Sequence, residues 1–300
     1  NKRINKSKKN TVFKVTEKNE LMNFLIEKMP EKSRTSIKSL LTKRKVFVGN
    51  DVVSQYNHPL LPGQTVTVDW GKVTIDTTMK GVSIIYEDDD VLVVEKESGI
   101  LSIATDNERE KTAYNMLKEY LKNKDPKNKI FVVHRLDRDT SGIMIFAKTE
   151  KAQDILQTTW NDSVKERTYV ALVEGVVYKE KDTIISYLQE NKAFITYSSQ
   201  NPKEGKKAIS HYKVLKKNKN YSLLEVNIET GRKNQIRVHM QDLGHPIIGD
   251  GRYGGEESLN PIGRLALHAF KLCCYHPVTG DLMEFETPYP GEFKKLFLKK

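Results

Sequence analysis

The nine residues His134-Arg135-Leu136-Asp137-Arg138-Asp139-Thr140-Ser141-Gly142 constrain this chain more than any other stretch. They separate two apolar runs, Ile130–Val133 and Ile143–Ala147, rich in β-branched and aromatic residues. That pattern predicts a buried strand on each side. A core has no use for four formal charges and a histidine within six residues. A functional site does, because flanking strands hold a loop stiffly enough to aim a side chain.

The rest of the composition narrows the class. A chain of 300 residues allows one large domain or two unequal ones. An apolar fraction of 38% beside a charged fraction of 30% suits a globular protein. No apolar run approaches the roughly 18 residues that a membrane helix needs. The basic start, residues 1–10, is followed by a segment too polar for a secretory signal, so cytoplasmic residence is expected. The only cysteines, Cys273 and Cys274, are adjacent, which predicts neither a disulfide nor a metal site.

The formal charge of +11 is unevenly placed. Residues 1–75 hold 15 Lys or Arg against 6 Asp or Glu, whereas residues 76–300 hold 35 against 33. Such asymmetry predicts a module for a polyanion attached to a nearly neutral body. Residues 1–10 read as a basic tail. Residues 11–75 read as a small α/β module. Leu21, Phe24, Leu25 and Met29 recur at helical spacing, and Ser33 is placed to cap a second helix. Ile37, Leu40 and Leu41 form the inner side of that helix, and Arg34, Lys38, Lys43 and Arg44 its outer side. Strands follow at 46–48 and 65–68. A basic helix backed by a small sheet can lie along a phosphate backbone.

Residues 70–82 read as a linker and residues 76–300 as one domain. Strands are expected at 83–86, 91–96, 130–133, 143–148, 167–174, 184–188, 193–197, 208–215, 222–229, 265–275 and 282–286. Helices are expected at 111–122, 150–158 and 233–243, with a short one at the C-terminus. Strands outnumber helices and do not alternate with them. The expected class is α+β: a mostly antiparallel mixed sheet with peripheral helices and a central cleft.

Phosphate-loop, dinucleotide, zinc-protease and serine-hydrolase signatures are absent from the sequence. Three segments carry the chemistry instead. The first is the Asp137 loop. The second, residues 165–175, is an alternating strand with Tyr169 facing away from Val170. The third, residues 230–240, turns at Gly231 and enters a helix loaded with Arg232, Lys233, Gln235 and Arg237.

In this order the three segments resemble the RluA/RluD-type pseudouridine synthases. The carrying motifs are H-R-L-D-x-x-T-S-G from His134 and T-G-R-x-x-Q-I-R-V-H from Thr230, supported by Leu265-Ala266-Leu267-His268-Ala269. Two positions depart from the family pattern: Glu95-Lys96-Glu97, and Asn234 where histidine is usual. The segment Leu21–Val68 is similar to the S-four-type RNA-binding domain through Ser33-Arg34, Val46-Phe47-Val48 and Leu61-Pro62-Gly63-Gln64.

The resemblance implies isomerisation of uridine to pseudouridine in RNA, with large-subunit ribosomal RNA the first substrate and transfer RNA the second. The target base must leave its stack, a carboxylate must meet the ribose or base, and a base must take the carbon-5 proton. No cofactor, metal or small-molecule partner is implied, nor any membrane, and a monomer is expected. Asp137 is then the catalytic carboxylate, with attack on ribose, attack on base and ribose deprotonation all open. Tyr169 stacks on the flipped uracil, with a part in the carbon-5 proton transfer left open. Arg237 pairs with Asp137. Arg135 fills the gap that the base leaves or contacts phosphate. Arg232 and Lys233 meet the RNA backbone, as do Arg34, Lys38, Lys43 and Arg44. A reading of another class stands beside this one: a non-catalytic RNA-binding or ribosome-assembly factor, to which the charge asymmetry is equally suited.

Overall fold

The computed structural model describes residues 10–42, 45–49, 51–53, 55–68, 79–104, 111–254 and 260–297. Lys43, Arg44 and nearly all of the basic tail lie outside the described residues. The chain divides into two units, residues 1–77 with 86–88 and residues 78–85 with 89–300.

The N-terminal unit runs β1 (Thr11–Lys14), β2 (Asn19–Glu20), α1 (Leu21–Lys28), α2 (Arg34–Thr42), β3 (Val46–Val48), β4 (Asp51–Val52), β5 (Pro59–Leu60) and β6 (Thr65–Val68). Four strands make a sheet in the order β1-β6-β3-β4, and β2 pairs with β5. Helical spacing puts Leu21, Phe24, Leu25 and Met29 on one side, and they are buried with Ile37, Leu41, Val46 and Val66. The Ser33 hydroxyl caps α2 by accepting the Ser36 N–H at 3.1 Å. Arg34 and Lys38 are exposed on α2.

The large unit continues with β7 (Val82–Glu87), β8 (Val91–Lys96), α3 (Ala113–Lys124), β9 (Phe131–Val132), β10 (Ser141–Ala147), α4 (Glu150–Thr158), α5 (Trp160–Ser163) and β11 (Val164–Glu174). After these come β12 (Lys181–Glu190), β13 (Thr196–Ser199), β14 (Lys206–Lys217), β15 (Tyr221–Ile228), α6 (Gln235–Asp242), β16 (Leu267–Tyr275), β17 (Leu282–Glu286) and α7 (Gly291–Lys295). Its sheet runs β13-β12-β14-β15-β11-β16-β10-β8-β7, with β17 also on β16 and β9 on β10. Among the named strands every pairing in it is antiparallel except β10 with β16.

That parallel join lies at the sheet's centre and forces its sequence. Gly142 pairs with Ala269. A Cβ on Gly142 would sit 2.2 Å from the Ala269 carbonyl oxygen, and its φ of 120° is one that other residues rarely adopt. Two large clusters make up most of the core below, beside a smaller one of Leu188, Ala208, Val238 and Tyr253. Val170, Leu172, Leu224 and Ile236 anchor one large cluster, and Leu92, Leu117, Met144 and Phe146 the other.

Several expected bounds differ from those found, among them the following three. The helix expected from residue 233 begins at Gln235, because Asn234 takes a left-handed φ of 55°. The strand expected at 193–197 begins at Thr196, because Phe194 turns at φ 59°. The expected strand 130–133 pairs only through Phe131 and Val132.

Candidate active site

The loop between β9 and β10 has no strand partner, yet its backbone is tied from Leu136 to Thr140. The Leu136 carbonyl accepts from Ser102 Oγ at 2.6 Å, and that of Asp137 from the Thr140 N–H at 3.2 Å. The Arg138 carbonyl accepts from Lys96 Nζ at 2.9 Å and the Gly99 N–H at 3.0 Å. The Asp139 carbonyl accepts from Ser98 Oγ at 2.7 Å. Four successive carbonyls are thereby held, which fixes the Cα–Cβ vector of Asp137 between them.

Lys96 is the unexpected member of this frame. Its side chain is fully buried, and Nζ also donates to the carbonyls of Glu97 at 3.0 Å and Ile100 at 2.8 Å. Burial pushes its pKa down to about 7, against the pull of Asp139. His134 accepts the Ile145 N–H on Nε2 at 3.0 Å, and its ring lies 4.8 Å from that of Trp160. Burial, with the charge of Arg167, pushes the pKa of His134 down to about 3. The histidine of the motif is therefore a neutral clamp. The sequence signalled Lys96 only within Glu95-Lys96-Glu97, a departure from the family pattern at the end of an apolar strand.

Behind the loop a second chain of bonds fixes β10 to β16. Ser141 Oγ lies 2.7 Å from His268 Nδ1, and His268 Nε2 lies 3.0 Å from Thr287 Oγ1. Arg264 Nη2 donates to Ser141 Oγ at 2.6 Å. His268 is buried, and its pKa is pushed down to about 4 by burial and then by Arg264.

Tyr169 enters from the other side of β16. It pairs with Ala269, the same residue that pairs with Gly142, at a register shift in the β11–β16 ladder. The extra residue at that shift is Phe270 of β16, so Tyr169 keeps the regular alternation of β11. Tyr169 and the end of the Asp137 loop therefore stand two strand spacings apart, roughly 10 Å. Burial raises the phenol's pKa to about 12, Arg167 pulling it down and Asp137 pushing it up. The ring is neutral at pH 7.

The third wall is the start of α6. Gln235 secures it: its carbonyl oxygen accepts from Thr230 Oγ1 at 2.8 Å and the Arg232 N–H at 3.1 Å, and its amide donates to the Ile209 carbonyl at 2.9 Å. His239 is fully buried between Ser186 and Ser210, each 2.9 Å from a ring nitrogen.

Arg237 departs from its expected partner. It meets Asp250 rather than Asp137, donating from Nε and Nη2 at 2.7 Å each, while Nη1 donates to Asn234 Oδ1 at 2.9 Å. Burial lowers the Arg237 pKa, but the bonds and charge of Asp250, then Asp137, leave it raised. Asp250 is buried and also accepts the Arg252 and Tyr253 N–H groups at 3.1 and 3.0 Å. Nothing in the motif spacing marked Asp250, because it lies beyond the helix, in the turn that follows it. Among the described residues no donor engages the Asp137 carboxylate, which leaves both oxygens for a ligand.

Asp137, Tyr169 and Arg237 line one cleft of about 620 Å³, with Arg135, Arg232 and Lys233 at its edge. A second recess of about 600 Å³ also reaches Asp137, Arg135, Lys233 and Arg237. The site residues expected on the large unit thus converge. Arg135 is exposed, and Lys233 is paired with Glu190. The hydroxyl of Thr140 in the cleft wall is buried without a protein partner. Among the described residues no group of three or more His, Cys, Asp or Glu is placed to hold a metal ion. No helix among them is long and apolar enough to cross a membrane.

Known proteins resemble this chain over most of its length. Residues 90–242 match the model of the RNA pseudouridylate synthase family. The chain is 37% identical over 217 residues, 72% of its own length and 71% of the relative's, to the RNA pseudouridine synthase YhcT of Bacillus subtilis (strain 168). It is 32% identical over 290 residues, 91% of its length and 88% of the relative's, to the ribosomal large subunit pseudouridine synthase D of Pasteurella multocida (strain Pm70). Among solved structures, human RNA pseudouridylate synthase domain containing 1 matches with a TM-score of 0.56 at 26% identity, over 69% of this chain and 83% of that one. Human RNA pseudouridylate synthase domain containing 4 shares the fold with a TM-score of 0.58 at 20% identity, over 70% and 90% of the two chains.

Proposed function

The chain belongs to the RNA pseudouridylate synthase family, enzymes that isomerise uridine in RNA, and from that premise we propose that it acts on structured large-subunit ribosomal RNA through Asp137. One observation carries the reading of the site: Asp137, Tyr169 and Arg237 line a single cleft, and among the described residues no donor engages the Asp137 carboxylate. The ribosomal target is supported by the name of the Pasteurella relative.

The cleft of about 620 Å³ that these residues line has room for a flipped uridine. Its uracil stacks on Tyr169 while its ribose faces Asp137. The bond from carbon 1′ to nitrogen 1 breaks, the base turns, and a bond from carbon 1′ to carbon 5 forms. The carbon-5 proton leaves and nitrogen 1 gains one, so the product is an isomer. The Tyr169 phenol is neutral at pH 7, so its first role is the apolar surface on which the base turns. Arg237, held by Asp250, places positive charge at the cleft without neutralising Asp137 through a direct pair.

Residues 11–75 are proposed as an S-four-type RNA-binding domain that supplies sequence-independent affinity through exposed cations such as Arg34 and Lys38. Cytoplasmic residence and a monomer belong to the same proposal. The test is tritium release from carbon-5-labelled uridine in transcribed large-subunit RNA. Wild type should release it without ATP or added metal, and Asp137→Asn should not. Equal release by both proteins would leave an RNA-binding factor as the remaining reading.

A further inference from the structure

Arg167 is a cleft residue that none of the motifs accounts for. It lies on β11 two residues before Tyr169, so both side chains leave the same face of the strand and line the same cavity. Its guanidinium is half-buried. Nη2 donates to the Glu229 carbonyl at 2.7 Å, and the group lies 5.9 Å from the centre of the Trp160 ring. No other partner takes its remaining N–H groups among the described residues.

The charges around Arg167 are what single it out. Among the described residues no carboxylate pairs with it, and a second, exposed cation, Arg232, lines the same cleft. Burial lowers its pKa, Tyr169 resists that shift, and Arg232 adds to it. Its charge in turn reaches His134 and Tyr169. A half-buried cation beside another cation, with no anion between them, is an arrangement that folding by itself disfavours. An anionic ligand offsets it. A guanidinium with free N–H groups in a fork is shaped for phosphate oxygens.

Gly231 keeps the space open. A Cβ there would lie 2.7 Å from Arg167 Nη1, with Arg167 as its only neighbour within 4 Å. The glycine's backbone is not left-handed. Its lack of a side chain therefore clears the guanidinium rather than easing a turn.

We propose that Arg167, with Arg232 beside it, forms a phosphate site inside the cleft that takes the phosphodiester of the nucleotide whose base rests on Tyr169. The proposal rests on the reading of this cleft as the seat of a flipped uridine. Half-buried Arg167 differs in kind from the exposed cations, because it fixes one nucleotide, while exposed Arg232, tied by Nε to the Lys207 carbonyl at 3.0 Å, supports it from the rim.

The test uses the full chain with transcribed, unmodified large-subunit RNA. Affinity is measured from about 50 to 300 mM KCl, and kcat and KM by carbon-5 tritium release. Arg167→Gln should reduce the slope of log affinity against log salt by about 0.7 to 0.9, one phosphate contact. It should raise KM about tenfold and change kcat less. Arg167→Lys should keep the slope and raise KM about threefold, the loss of the fork alone. Gly231→Ala should also raise KM about threefold with the slope kept, by displacing the guanidinium. A wild-type slope and KM in Arg167→Gln would overturn the site. So would an unchanged slope with a moved pH profile of kcat, which would make Arg167 a tuner of Tyr169. Should Arg167→Gln fail to fold, wild-type KM in both Arg167→Lys and Gly231→Ala would overturn it. If wild type releases no tritium, the isomerase reading falls, and the salt slopes still decide whether the phosphate site exists.

Discussion

In the N-terminal unit, α1 and α2 turn Leu21, Phe24, Leu25, Ile37 and Leu41 inward, and Arg34 and Lys38 remain at the surface. In the large unit the charged groups that matter lie inside. Lys96 and Asp250 are buried, and the Arg237 side chain is 13% exposed. The two arrangements do different physical jobs. Surface cations act over a screening length of about 8–10 Å and weaken with salt. Interior charges are desolvated, hydrogen-bonded and fixed in direction, and salt screens them little. The comparison predicts that affinity and turnover separate by unit.

The strongest break would come at Asp137. Asp137→Asn should lower turnover by about 10³-fold or more and leave RNA affinity within about twofold, read by single-turnover tritium release beside filter binding. A comparable loss of affinity would mean that the cleft itself supplies binding, and the division between units would fail. The converse change removes residues 1–75. Affinity at about 0.1 M salt should fall roughly 30-fold or more and the salt slope should flatten by several contacts. The single-turnover rate at saturating RNA should stay within about threefold. A salt slope unchanged by the truncation would remove the argument for an RNA-binding module.

A smaller effect tests the interior charges. Asp250 holds Arg237 through two bonds of 2.7 Å. Asp250→Asn leaves that guanidinium half-held, with Asp137 the other carboxylate that its charge feels. Stability should drop by about 3 kcal/mol, measured by urea unfolding. In the surviving folded protein kcat should fall about tenfold with KM little changed. A raised KM with normal kcat would show that Arg237 contacts RNA instead of shaping the site around Asp137.

Legibility in the sequence followed the same division. The strands on both sides of the Asp137 loop, the helix at 150–158 and the basic face of α2 could be read because periodicity and capping are local. Asp137, Tyr169 and Arg237 could be named because their motifs are dense. Who pairs with whom could not be read. Arg237 was expected on Asp137 and meets Asp250, a partner 13 residues on, because a bidentate bond depends on where the turn after α6 folds back. Lys96 shows the same limit: only the tertiary structure brings the Arg138 carbonyl, 42 residues away, to its ammonium. The start of α6 was missed by two residues for a local reason, since asparagine is among the few residues that tolerate a left-handed turn.

The last prediction is one of acid stability, and it belongs to the large unit. Three histidines there have pKa values pushed down, His134 to about 3 and His239 and His268 to about 4. In the unfolded chain each returns to about 6.5. Between pH 6.5 and about 4 the unfolded state therefore binds protons that the folded state refuses, and stability must fall as pH falls through that window. Above pH 7 the three sites are neutral in both states and contribute no slope. The urea midpoint of the full chain should accordingly drop from pH 7 to pH 5, with proton uptake on unfolding at pH 5. His268→Asn, which removes one of the three sites, should make the drop shallower even if it lowers the midpoint at pH 7. A midpoint that is flat from pH 7 to pH 5 would mean that these imidazoles take up protons in place. The clamps they form at Ile145, Ser210 and Ser141 would then be looser than the geometry around Asp137 requires.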